Sequence, residues 1–168
     1  AQGIITRSQK AIDYHLEKNP KLEANKFDVV FNGRDVSFFN FNETYKKQVQ
    51  EEFGFTDANK VFVYCGSLGA QYCWEEMLTI FYQCLAQDEN YRFLILSGNP
   101  EFLDNKIQQE LIDKIKVKKV PFEEVAKYLS VASFAFAIRE PKPSMKAIAP
   151  IKLGEYLLMG IPTIASQG

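Results

Sequence analysis

Histidine and cysteine, the side chains that most often ligate metals or act as nucleophiles, are scarce in this sequence. There is one histidine, His15, and three cysteines, Cys65, Cys73 and Cys84, none of them in a C-x-x-C pair. An odd number of thiols at these spacings argues against a disulfide scaffold and against a zinc site, and reads as reduced thiols in a cytosolic protein. His15 stands in a polar amphipathic stretch and reads as a solvated surface residue, leaving no histidine pair for a metal. An excess of charge is also missing: 20 basic residues face 21 acidic ones, a net charge of -1. Non-specific binding to nucleic acid needs a basic surface, so this balance argues against it. No apolar run reaches the ~18 residues of a membrane span, and no signal peptide is visible. Internal repeats and low-complexity tracts are absent too.

What remains is a chain of 168 residues, 46% hydrophobic and 14% aromatic. That is one ordinary domain, or one domain with part of a neighbour, and it can bury a real core. The chain starts at Ala1 without a methionine and stops at Gly168 just after an apolar run, so both ends are expected to be cut from a longer protein.

Nearly continuous hydrophobic runs predict strands over Phe27–Phe31, Lys60–Cys65, Arg92–Ser97, Ile115–Val120, Phe134–Arg139 and Ile161–Ser166. Such runs are buried on both faces, as a parallel sheet requires. The run at 115–120, IKVKKV, alternates and belongs nearer an edge. Between the strands lie helical patterns with recognisable ends: Ser8 to Lys18 with a serine cap, Thr44 to Phe53 closed by Gly54, and Trp74 to Ala86. Pro100 opens a longer amphipathic stretch, Pro121 opens 122–130, and Pro150 opens Ile151–Met159, which Gly160 and Pro162 end. From residue 60 onward strands and helices alternate, which predicts an α/β, doubly wound, Rossmann-like parallel sheet. A polar stretch from Asn40 to Lys60 suggests a domain boundary near there.

In such a sheet, ligands sit beyond the carboxyl ends of the strands, where helix N-termini point. The turn Cys65-Gly66-Ser67-Leu68-Gly69 can cradle a phosphate through backbone N–H groups, although taken alone a plain strand-to-helix turn explains it better. Ser97-Gly98-Asn99-Pro100 is a similar turn. Residues 141–160 say more: a loop with Lys142, Ser144 and Lys146 feeds the helix that starts at Pro150, which places positive charge and free helix N–H groups together as an anion site. The helix is apolar apart from Lys152 and Glu155, so Glu155 should be buried, and a buried carboxylate needs a partner. Either Lys152 pairs with it three residues away, or it accepts hydrogen bonds from ligand hydroxyls. These residues leave both open.

Pro150-x-Lys152-x-x-Glu155-Tyr156-Leu157-x-x-Gly160-Ile161-Pro162 resembles the donor-site signature of GT-B retaining glycosyltransferases of family 4, the group 1 type. Three further segments agree in order: Gly3 to Ser8, the Asn32-Gly33-Arg34-Asp35 stretch similar to the family's N-G-x-D interdomain segment, and Tyr64 to Gly69. The resemblance covers essentially the whole chain. It implies the C-terminal half of a GT-B enzyme, with 1–40 as acceptor-domain tail and interdomain segment and 41–168 as the nucleotide-sugar domain. It implies that Glu155 holds the ribose hydroxyls. Gly66 and Ser67 line the diphosphate or acceptor side, and the segment 119–122, with Val120 and Pro121, meets the base. Pro150 and Lys152 face the diphosphate. No metal or other cofactor is implied, since helix dipole and basic side chains neutralise the leaving group.

Partners follow in the same way: a nucleotide-sugar, and a sugar or lipid-linked acceptor held by the missing N-terminal domain, with no nucleic acid. The setting implied is polysaccharide or glycoconjugate synthesis in the cytoplasm, with peripheral contact at the inner membrane face admissible for the parent. The stretch alone is expected to bind donor weakly and to transfer nothing, and no residue stands out as a general base. Two departures from the family pattern stand out. Eight residues before Glu155, where the family places its first glutamate, stands Ala147. The basic residue expected after the Gly66 turn is also absent, so Lys142 or Lys146 is the expected substitute. The competing readings are a nucleotide-sugar 2-epimerase of the same architecture, disfavoured by the single histidine, and a non-catalytic nucleotide-binding module.

Overall fold

The computed structural model describes residues 2–142 and 151–166. Five parallel strands form the main sheet: β3 (Lys60–Cys65), β4 (Tyr91–Leu96), β5 (Ile115–Lys118), β6 (Phe134–Ala137) and β7 (Thr163–Ala165), in the spatial order β5-β4-β3-β6-β7. The alternating run at 115–118 lies at an edge, as its pattern predicts. Side chains of β3 part by period two. Val61 and Val63 face a layer made by α2 (Glu43–Phe53), α4 (Val125–Leu129) and α5 (Ile151–Leu158). Phe62 and Tyr64 face the opposite layer, built on Trp74, Met77, Leu78 and Phe81 of α3 (Trp74–Gln87). Helices on both faces of a parallel sheet make this a doubly wound α/β fold.

A second sheet has two parallel strands, β1 (Ile4–Thr6) and β2 (Phe27–Val29), joined through α1 (Gln9–Lys18). Ser8 caps α1, its Oγ accepting from the Ala11 N–H at 3.2 Å. Exposed His15 stacks on Phe27 at 6.4 Å. Helix α2 ends at Gly54 in the left-handed conformation, φ 69°. That conformation costs glycine nothing and lets its N–H bond back to the Gln50 carbonyl. All three cysteines are free.

One helix expected from the sequence is not there. The stretch after Pro100 forms two separate 3₁₀ turns, Pro100–Leu103 and Gln109–Leu111. Asn105 between them takes φ 60°, which no α-helix accommodates, and asparagine is among the residues that tolerate it. The helix expected over 122–130 likewise opens as a 3₁₀ turn, Phe122–Glu124, before α4.

Candidate functional site

The chain runs from β3 outward to β4 and β5, then crosses back to lay β6 on the other edge of β3. The carboxyl ends of β3 and β6 therefore form a topological switch point, where open α/β sheets bind ligands. Here β3 pairs with β6 only at Phe62↔Phe134 and Val63↔Ala135, while its ladder with β4 continues to Cys65↔Leu96. Beyond Val63 the strands part. The Cys65 N–H turns instead to helix α5, donating to the Tyr156 hydroxyl at 2.8 Å. Tyr156 is fully buried, which raises its phenol well above the ordinary value.

Lys152, one turn earlier on α5, reaches the same crevice from above. Its ammonium donates to the Tyr64 hydroxyl at 3.0 Å and lies over the Tyr64 and Tyr72 rings, 4.2 and 4.9 Å from their centroids. The Tyr64 hydroxyl in turn donates to the Ser67 carbonyl at 2.6 Å. Gly66 adopts φ 146°, and a Cβ there would overlap the Lys152 ammonium. Glycine at 66 thus serves the close approach of a cation to the turn. Burial is the main cause that holds the Lys152 ammonium down to about 8; the Arg139 charge adds to it, while Cys65 and Glu155 act against it. The neighbouring Cys65 thiol is pushed up to about 12 by burial first and then by the Glu155 charge, so it is no nucleophile.

Glu155 is buried, with 6% of its surface exposed. Its partner is not Lys152. The Arg34 Nε donates to Glu155 Oε1 at 2.5 Å, and among the described residues this is the carboxylate's hydrogen bond. The i, i+3 pairing open to the sequence does not form, because Lys152 turns over Gly66 while Glu155 turns toward the segment before α2. The Arg34 guanidinium also lies over the ring of Phe122, 5.5 Å from its centroid, and Phe38 stacks on that ring at 5.4 Å. Val120 and Pro121 lead from β5 into the turn that carries Phe122.

The structure therefore brings together Gly66, Ser67 and Lys152 through Tyr64, and links Glu155 to the residue after Pro121 through Arg34. The Lys142 ammonium pairs with Glu140 at 2.6 Å. Ser144, Lys146, Ala147 and Pro150 lie outside the described residues. Sequence reasoning missed the two phenols and Arg34. It also missed Asn99, whose side chain accepts from the Leu68 N–H at 3.0 Å and donates to the Leu68 carbonyl at 3.1 Å. That amide pins the Gly66 turn to the end of β4; Asn99 stood in a turn noted only as a phosphate candidate.

No family model matches the sequence, and no curated protein matches it. Solved structures do. The Anabaena protein Alr3699/HepE, crystallised in complex with UDP and glucose, superposes at a TM-score of 0.77 with 16% identity over 100% of this chain and 45% of its own. The chain has the fold of a GT-B C-terminal half. WaaG, a glycosyltransferase involved in lipopolysaccharide biosynthesis, matches at 0.73 with 12% identity over 96% of this chain and 43% of its own. The C-terminal domain of a Francisella tularensis group 1 glycosyl transferase, LpcC, matches at 0.59 with 14% identity, over 79% of this chain and 70% of that domain. The chain thus spans about 45% of the length of the Anabaena protein. Among the described residues no helix is long and apolar enough to cross a membrane.

Proposed function

We propose that this chain is the donor-binding part of a glycosyltransferase that moves a sugar from a nucleotide-sugar to an acceptor hydroxyl. In this reading 41–168 hold the donor and 1–40 are the acceptor-domain tail and interdomain segment. The observation that carries it is a buried Glu155 carboxylate on the same helix as a lysine ammonium that lies over a glycine turn, at the switch point of the sheet. A carboxylate suits ribose hydroxyls, and an ammonium at a glycine turn suits a diphosphate. The UDP and glucose named for the Anabaena protein support a uridine diphosphate sugar as the first donor to try.

Chemically, the site's work is binding and charge complementarity. Lys152 and the N-terminus of α5 stabilise the negative charge that develops on the departing diphosphate, so the reaction needs no metal. Glu155 fixes the nucleoside and so orients the sugar toward an acceptor hydroxyl held by the other half of the enzyme. Retention of configuration, a polysaccharide or glycoconjugate product, and work in the cytoplasm or at the inner membrane face complete the proposal. This stretch alone binds donor weakly and transfers no sugar.

Calorimetric titration with UDP, GDP, ADP and CMP tests it. One nucleoside diphosphate should bind, and Glu155→Ala should weaken it by about tenfold or more, the worth of a charged hydrogen bond. If none of the four binds at millimolar concentration, to this chain or to the whole enzyme, the reading is wrong.

A further inference from the structure

We infer that Arg34 fills the nucleoside's place in the ligand-free chain, and that a nucleoside diphosphate must expel it to bind. The inference rests on the donor-site reading above. Arg34 touches both groups that would hold the nucleoside. Its Nε donates to the Glu155 carboxylate at 2.5 Å, where ribose hydroxyls would donate. Its flat guanidinium covers the half-exposed ring of Phe122, the last residue of the segment set to meet the base. A planar, delocalised cation with N–H donors resembles both halves of a nucleoside, since it stacks like a base and donates like a sugar.

A second observation shows that this arrangement is held at a cost. Two residues before Arg34, the Asn32 side-chain Nδ2 is buried with no hydrogen-bond partner among the described residues. It lies in a groove of about 470 Å³ between this segment and Ile151, Gly154 and Leu157 of α5. Burying an amide donor without an acceptor is unfavourable, so movement of the segment away from α5 relieves Asn32 as it removes Arg34. The segment is otherwise lightly held. Val30, Phe31 and Val36 are exposed, and its first deeply buried side chain is Phe39, in the core against the sheet. Phe39 anchors the far end, so the part that swings is the stretch before it. Donor binding then changes the path of the segment between the two sheets, which couples occupancy of the site to how the sheets are arranged.

Titration of wild type, Arg34→Ala and Arg34→Lys with UDP, GDP and ADP in turn tests the inference. Arg34→Ala should bind the preferred diphosphate about fivefold or more tightly, the lower end of an ordinary coupling between sites. Arg34→Lys keeps a charge near Glu155 without the flat face, so it should fall between the two and remain folded. In wild type, the Arg34 Nε–H resonance should shift as nucleotide is added. Binding that is weaker or unchanged in both variants overturns the inference and leaves the donor-site reading intact. A site that stays closed to these three and to CMP in every variant, in this chain and in the whole enzyme, overturns both.

Discussion

The body of the central strand and its carboxyl end follow opposite rules. Along Val61, Phe62 and Val63 every side chain is buried among apolar neighbours. Phe62 stacks on Phe136 at 4.9 Å, and Phe93 meets Phe136 edge-on at 5.4 Å. Two residues later the same strand end gathers a half-buried lysine, a buried glutamate and two buried phenols, each with a specific partner. Apolar packing is tolerant of partners and unforgiving of volume, whereas a buried polar cluster tolerates almost no change of partner. The stability of the domain therefore sits in the strand bodies, and the strain and charge needed for a site sit at their ends.

The sharpest way to test this division is to break the body. Phe136→Ala should cost about 3–5 kcal/mol, because the cavity is walled by Phe62 and Phe93, which the sheet holds in place. Urea unfolding measures it, and a loss under 1 kcal/mol would mean that the aromatic layer is not the stabilising element. At the strand end, Gly66→Ala should cost less, about 1–3 kcal/mol, since it forces a strained backbone and displaces the Lys152 ammonium. Nucleotide affinity should fall further than stability does, and equal losses would make Gly66 merely structural.

The smallest effect on stability is expected at Lys152, and its sign separates the two regions. Lys152→Met should leave the protein as stable at pH 7 or slightly more so, while weakening diphosphate binding. The folded-state value of Lys152 is lowered to about 8 from 10.5, so between those limits the unfolded chain binds more protons. Wild-type stability should therefore gain from this group as pH rises from about 8 to 10.5, and the gain should vanish in Lys152→Met. Diphosphate affinity should decline over the pH range in which the ammonium is lost. Identical pH profiles for wild type and variant would show that Lys152 is not held in a desolvated position.

Much of the strand body was legible from the sequence and much of the strand end was not. Lys60–Cys65 reads as a strand because it is a β-branched and aromatic run without polar interruption, and that is where β3 lies. Ser8 and Gly54 mark helix ends through local chemistry that needs no knowledge of the fold. The stretch after Pro100 misled because helical spacing is present, while the conformation of Asn105 is not written in any period. The burial of Glu155 could be read from its apolar helix. Its partner could not, since Arg34 lies 121 positions away and no spacing rule reaches that far. Tyr64 and Tyr156 stood in the sequence only as members of a strand-and-turn segment and a helix motif, and nothing local announced that their hydroxyls would join a strand, a turn and a helix.

The bond from the Cys65 amide to the Tyr156 hydroxyl also makes that amide an isotopic clock. An amide in the strand ladder trades its proton for deuterium only when the sheet opens, so its rate reports the stability of the whole domain. The Cys65 amide is protected by a side chain of α5 instead, and any tilt of that helix away from β3 exposes it. Its exchange rate, compared with that of Val63 in the ladder, reads how often the crevice gapes while the sheet stays whole.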